Sequence, residues 1–463
     1  MEREGSPSEP PGKVRALRGR AVTLVDNPFL KPARDCLVHY EDALVFIEDG
    51  RVAVFGDHEA VRARLPPGVE PVRYENALIT PGFIDTHVHY PQLQMVGAFG
   101  EQLLQWLDRY TFPAELAFAD RAHAEAVAGL FLREILRAGT TTAAIYCTVH
   151  PHSVDAFFAE SERFNTRMVA GKVLMDRNAP AALLDTAQRG YDESAALIRR
   201  WHGRGRQHYC VTPRFAASCT EAQLDTAGAL LREHADLFLQ THLCESPAEV
   251  KWVKQLFPAR ASYLDVYAHA GLVGPRSVLG HAIHMAEEDF HTCHAAGAAL
   301  AHCPTSNMFL GSGLFRLFDA MDARRPVLVG LGTDIGAGTT LSLVKTLGEA
   351  YKVATLRGDK LDSVKAFYLA TLGGARALRL DDRVGRIALG MEADLCVLDL
   401  AATPLLRFRT RFCDGIEDLM FVLMTLGDER AVRATYVAGE PVYDSARAGD
   451  PFRYPETAAA AGP

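Results

Sequence analysis

The sequence predicts an α/β fold: a (β/α)8 TIM-type barrel carrying a small β-sandwich domain formed from both chain ends. Three observations point there. Eight strand-length apolar runs alternate with helical patterns through the middle of the chain, short β-type runs broken by turns occupy both ends, and 463 residues are too many for one small sandwich yet suit a barrel with a modest second domain. Hydrophobic residues make up 48% of the chain and charged residues 23%, the mixture of an ordinary globular protein with a sizeable core.

Taken in order, residues 1–13 are rich in Pro, Gly, Ser and Glu and residues 455–463 are dominated by Ala and Pro, so both are expected to be mobile tails. Apolar runs at 21–25, 43–47, 51–55 and 77–79, with the turn Glu48-Asp49-Gly50, read as a small β-rich unit. The pattern returns at 394–398 and 431–437, followed by Ala438-Gly439-Glu440 and Pro441-Val442-Tyr443. The simplest topology pairs residues 14–80 with 385–454 in one β-sandwich and inserts 81–384 as the barrel. Its strands are expected at 78–89, 140–149, 168–175, 208–215, 237–245, 277–283, 298–304 and 327–334, separated by segments with helical spacing such as 122–138 and 222–234. Eight parallel strands close a barrel, whose active site lies at the C-terminal strand ends.

Composition narrows the function class. A formal charge of −8 and the lack of any long Lys/Arg run argue against nucleic acid or an anionic membrane as partner and favour a small molecule. No stretch of 18 apolar residues occurs, and Met1-Glu2-Arg3-Glu4-Gly5 opens no signal peptide, so the expected location is the cytoplasm. The nine cysteines are odd in number, scattered and free of Cys-x-x-Cys pairs; they are expected to be reduced, most of them as small buried hydrophobes.

At the first strand end, Pro81-Gly82-Phe83-Ile84-Asp85-Thr86-His87-Val88-His89 sets two histidines at i and i+2, which strand alternation turns to one face. A lone histidine there would read as a core residue; a pair on one face reads as metal ligands. The later strand ends add His242 and Glu245, then His281, then Asp334. Any one of these could cap or pack, but their joint arrival at the rim of a barrel is hard to explain as packing, because buried polar groups need partners. Three histidines and an aspartate suit Zn²⁺ or another borderline divalent ion with a position left for water. The fourth run ends Val211-Thr212-Pro213-Arg214-Phe215 and offers no lysine to bridge two metals; Lys172, in the third run, reads as structural, so one metal is expected.

These residues, in this order, resemble the amidohydrolase superfamily, in its mononuclear zinc deaminase branch, over roughly 79–398. The histidine pair and Gly332-Thr333-Asp334 mark the superfamily. Trp106-Leu107-Asp108-Arg109-Tyr110-Thr111-Phe112-Pro113-Ala114-Glu115, Thr212-Pro213-Arg214-Phe215 and Ala301-His302-Cys303-Pro304-Thr305-Ser306-Asn307 are similar, more specifically, to members that deaminate guanine. The resemblance implies His87, His89, His242 and Asp334 as ligands of one Zn²⁺ per chain, with Fe²⁺ as the other candidate ion. It further implies His281 beside the bound hydroxide, Glu245 as proton shuttle, Gln92, Arg214 and Phe215 at the purine together with His242 and Glu245, and a homodimer.

Chemistry agrees with that substrate. The planar fork of Arg214 suits the O6 and N7 acceptors of guanine, whereas adenine presents a donor at the six position; the bland reading of Arg214 is a rim salt bridge with a nearby acid. The expected reaction is attack of zinc-activated hydroxide on C2 with Glu245 protonating N3, stabilisation by Asp334 and His281, then loss of ammonia to leave xanthine. Trp106, Tyr110 and Phe112 are candidates for a pocket cover, for stacking on the base, or for core or dimer packing. The His302-to-Asn307 segment is expected to shape the pocket through backbone turns, with no covalent nucleophile. Competing readings are a relative acting on 8-oxoguanine, an adenine-type nucleoside, a pterin or a triazine, and a catalytically silent barrel scaffold, which would be expected to lack some of the ligands.

Overall fold

The computed structural model describes residues 13–453, so the tails expected at the two ends lie, apart from Lys13, outside the described residues. The barrel strands are Phe83–His89, Thr140–Tyr146, Arg167–Gly171 continued by Val173–Leu174, Gln207–Pro213, Phe238–Leu243, Ser277–His281, Ala299–His302 and Leu328–Leu331. Neighbours pair in parallel in sequence order, with helices such as Arg121–Arg137, Pro151–Phe164, Ala187–Trp201 and Glu221–Glu233 in the crossovers. The strands are buried on both faces, as a parallel sheet wrapped by helices requires.

A regular ladder does not close the circle. Between the first and eighth strands the seam is made by Asp334 N donating to His87 O (2.9 Å), His89 N donating to Ile335 O (3.1 Å) and Thr86 Oγ1 donating to Leu331 O (2.9 Å). The barrel is thus nearly closed as a sheet and completed by the segment that carries Asp334.

The apolar run at 78–89, read from sequence as one strand, is two. It breaks at Gly82, where Val72–Pro81 ends in one sheet and Phe83–His89 begins in the other. Gly82 N bonds Asp394 O (2.8 Å), and a Cβ here would lie 2.3 Å from Thr141 Oγ1, so the chain passes between the two sheets only as glycine. Apolar residues needed on both sides of the junction hide it from a hydrophobicity pattern.

The chain ends build a separate seven-stranded sheet in the order Glu440–Asp444, Val432–Val437, Leu395–Asp399, Val72–Pro81, Val14–Leu24, Leu37–Glu48, Arg51–Asp57. Every neighbouring pair is antiparallel except Val14–Leu24 with Val72–Pro81. Gly439 lies against Ile47, with a built Cβ 2.6 Å from its Cγ2, although three strands separate their elements in the order. The sheet therefore curls over itself, enclosing Leu17, Val45, Val52, Ile79, Leu395, Val397 and Tyr436.

Behind the barrel's N-terminal face, buried ions join the two units. Arg206 Nη2 donates to Glu392 Oε2 (2.7 Å) and Asp394 Oδ2 (2.6 Å), and Arg167 Nε donates to Glu392 Oε2 (2.9 Å). All nine cysteines are free, eight of them buried, and no helix among the described residues is long and apolar enough to cross a membrane.

Candidate active site

The two-residue period of Phe83–His89 turns His87 and His89 into the barrel, where they meet His242 from the end of the fifth strand and Asp334 from beyond the eighth. One ligand-type atom from each of His87, His89 and His242 falls within 4.8 Å of the others. His87 Nε2 and His89 Nε2 each lie 3.4 Å from Asp334 Oδ1, and His89 Nε2 lies 3.1 Å from His242 Nε2.

Second partners set the orientation. His242 Nδ1 donates to Arg214 O (2.7 Å), which fixes its tautomer and leaves Nε2 facing the cluster with a lone pair. Asp85 accepts from His87 N and Thr333 N, both at 3.1 Å, and so ties the segments that carry His87 and Asp334 together. Ser306 Oγ donates to Asp334 Oδ2 (2.5 Å). Asp334 and His281 hold left-handed backbone, at φ 50° and 67°, a conformation that costs free energy and collects at functional sites.

The electrostatics keep the ligand atoms available. Burial, helped by neighbouring imidazoles, drives His89 and His242 well below the ordinary histidine range, and burial lowers His87; neutral rings have lone pairs. Burial alone would raise Asp334, but the imidazoles of His87 and His281 outweigh it and hold the carboxyl at about 2. Both ring nitrogens of His87 and Nδ1 of His89 are buried without a hydrogen-bond partner. Orphaned imidazole nitrogens beside an ionised carboxylate are costly unless a cation is shared among them, so this donor set fits a divalent ion of nitrogen and oxygen preference. Cys303 is close by, but burial pushes its thiol well up and keeps it protonated.

Beside the cluster, Glu245 is 3% exposed. Its carboxyl is raised well above the usual range by burial first and then by the negative charges of Glu249 and Asp334. It lies 3.5 Å from His281 Nε2 and accepts from Ser312 Oγ (3.4 Å). His281 Nδ1 donates to Asn307 Oδ1 (2.9 Å), which leaves Nε2 as an acceptor facing Glu245 and, at 3.8 Å, Asp334.

A pocket opens at these groups, lined by His89, His242, Glu245, His281 and Asp334 together with Gln92, Arg214, Phe215, Trp106 and Leu107. His87 does not line the pocket but lies next to His242 and Asp334. The structure thus brings all nine sequence-selected residues into one place. Arg214 is not at the rim: it is buried, with Nη1 donating to both oxygens of Glu115 (2.8 and 2.9 Å). The aromatic segment divides. Trp106 is buried against Tyr110 at the pocket wall, whereas Phe112 packs with Tyr146 and Val149. Lys172 is fully buried in an ion cluster with Asp185 and Glu193 and is structural.

Sequence reasoning missed Glu249, which accepts from Glu245 N (2.8 Å) and from Tyr263 Oη (2.7 Å), and it gave Ser306 and Asn307 only backbone roles. The Ser246-x-x-Glu249 capping box was a readable helix signal, but it does not announce that the glutamate also faces the pocket.

A family model described as Amidohydrolase family matches residues 78–442. The chain is similar to Guanine deaminase of Escherichia coli (strain K12), 46% identical over 93% of this chain and 98% of that protein. It is also similar to Probable guanine deaminase of Deinococcus radiodurans, 40% identical over 93% of this chain and 99% of that one. Among solved structures, E. coli Guanine Deaminase superposes with a TM-score of 0.89 and 45% identity, covering 93% of this chain and 99% of that chain.

Proposed function

This chain belongs to the amidohydrolase family, and from that membership we propose that it hydrolyses the exocyclic amino group of guanine, releasing ammonia and xanthine. One observation carries the reading: a pocket in which Glu245, its carboxyl raised by burial, and a guanidinium, Arg214, lie beside a cluster of imidazoles whose pKa values burial lowers and an ionised aspartate. His87, His89, His242 and Asp334 would hold one divalent ion, Zn²⁺ in preference to Fe²⁺, because the set is three nitrogens and one oxygen. Such an ion, when bound, lowers the pKa of its water from 15.7 to about 7 and so supplies a nucleophile at neutral pH.

The chain's own groups do the rest. Guanine lies against Phe215 and Trp106, with O6 and N7 toward Arg214, and Gln92 on the same wall supplies a further polar contact. Glu245 gives its proton to N3 as oxygen adds to C2, which relieves the charge that would otherwise build on the ring. Asp334, ionised, accepts a proton from the attacking water. His281, its tautomer fixed by Asn307, stands between the two carboxyls with Nε2 free to accept a hydrogen bond from the tetrahedral centre. Glu245, now ionised, takes the proton of the C2 hydroxyl and passes it to the departing amine as the C2 carbonyl forms, which gives xanthine and ammonia, and the proton held by Asp334 then returns to Glu245. On the same reading the chain works in the cytoplasm as a homodimer on a small-molecule purine, in keeping with a net charge of −8 that suits neither nucleic acid nor an anionic membrane.

The test is to mix metal-analysed protein with guanine, and in parallel with adenine, cytosine and 8-oxoguanine, following ammonia and ultraviolet absorbance. Rapid conversion of guanine with about one zinc per chain is expected. Protein that carries zinc but leaves guanine untouched while consuming another ring would overturn the substrate assignment and keep the hydrolytic chemistry.

A further inference from the structure

We infer that Glu115 is the positioning residue of the purine pocket, clamping Arg214 and Gln92 into one charge-neutral unit that selects an uncharged ring. The inference rests on the reading of guanine as substrate. Glu115 sits on the short helix Phe112–Leu116, is wholly buried, and accepts from Nη1 of Arg214 with both oxygens. Its Oε1 also meets Gln92 Nε2 at 3.5 Å, while the other end of that amide, Gln92 Oε1, accepts from Gly336 N at 3.1 Å. The backbone donor fixes which way the Gln92 amide points, and its nitrogen is left facing Glu115.

Stability does not account for this arrangement. A buried ion pair loses much of its Coulomb gain to desolvation, and apolar residues of similar volume often serve as well. The pair instead forms the wall of the pocket, where Arg214 and Gln92 line the cavity and Glu115 stands behind them. Because the carboxylate engages Nη1, the guanidinium keeps its Nε and Nη2 donors for the ring edge in a fixed plane. With the two charges cancelled, a neutral purine enters without leaving a buried ion unpaired, and an anionic purine gains little from the arginine. Remove the carboxylate and the preference should reverse, because the pocket then holds an uncompensated cation.

The experiment measures steady-state guanine hydrolysis, and the binding of urate, an anion at neutral pH, on metal-analysed wild type, Glu115→Gln, Arg214→Gln and the double variant, each with a thermal melt. For Glu115→Gln the KM for guanine should rise about tenfold with kcat held within about threefold, while urate binds about tenfold more tightly. In the Arg214→Gln background the same change should move both quantities clearly less than in wild type, since of the two groups it positions only Gln92 remains. A folded Glu115→Gln with unaltered KM and unaltered urate binding, or equal shifts in both backgrounds, would reduce Glu115 to packing and overturn the inference. Should Glu115→Gln fail to fold, Glu115→Asp keeps the charge but withdraws it: KM should rise with urate binding unchanged, and an unchanged KM overturns the inference. Failure of the substrate reading looks different, because wild type would then ignore guanine while urate binding still separated Glu115→Gln from wild type.

Discussion

Glu245 and Asp334 are two carboxyls in one pocket with opposite fates, the first raised by burial and neighbouring charge, the second held at about 2 by imidazoles. Environments that push two acids apart assign the roles of proton donor and proton acceptor. The sign follows directly: kcat/KM should fall as pH rises through the raised value of Glu245, because the acid form is consumed. Glu245→Gln, which cannot donate, should lower kcat by about 10²- to 10⁴-fold with metal content and guanine binding kept. An unchanged rate with full metal loading would remove Glu245 from the reaction. At this scale the sequence was readable wherever a residue's placement follows from local geometry: His87 and His89 share a face because strands alternate. Asn307 and the Glu115 partner of Arg214 were not, since each acquires its neighbour only when separate elements come together, and Glu249 was not because its local capping-box spacing says nothing of the pocket it also faces.

The strands carry information of their own in what they omit. Gly280, on the sixth strand, faces His87: a Cβ there would lie 2.6 Å from Cε1 and 2.8 Å from Nδ1 of the ring. At Gly332, just past the eighth strand, an added Cβ would lie 2.8 Å from the Cβ of the same histidine. Glycines at these two positions thus leave the space that the His87 imidazole occupies. Gly280→Ala should tilt His87 out of the cluster and weaken metal affinity about tenfold or more while the circular dichroism spectrum stays that of the parent; full metal retention would show that the slot is not limiting. Element boundaries were the least legible feature. The run at 78–89 concealed a change of sheet at Gly82, and the third strand is interrupted at Lys172, whose ammonium turns out of the ladder toward Asp185. Both breaks come from contacts made by other segments, which a hydrophobic period does not encode.

Across the whole molecule, the barrel and the terminal sheet are joined through buried charge as well as apolar contact. Burial would raise Glu392, but Arg206 and Arg167 dominate and hold it at about 2, against an ordinary 4.5. A depressed carboxyl stabilises the fold above its unfolded value and loses that contribution as pH falls toward the folded one. The difference corresponds to about 3 kcal/mol, present above pH ~4.5 and withdrawn between there and ~2. Urea unfolding of wild type against Glu392→Gln should therefore show a gap that narrows over that window; a gap independent of pH would remove the charge from the account. The (β/α) alternation made the eight units of the barrel legible, since each unit is local. The ionic joint was not, because Arg206 and Glu392 lie 186 positions apart and each reads alone as a surface charge.

The seam between the first and eighth strands bears on how the protein comes into being. The bonds that shut the barrel, Asp334 to His87, Ile335 to His89 and Thr333 to Asp85 across 248 residues, are made by the very segments that carry His87, His89 and Asp334. A ribosome that has released the two histidines has therefore made no site yet; the site arrives only when synthesis has passed residue 335. An ion held by these groups would tie the same join, so its binding should follow ring closure and act as a late clasp. A chelator should loosen the cylinder at its join before it disturbs the helices around it.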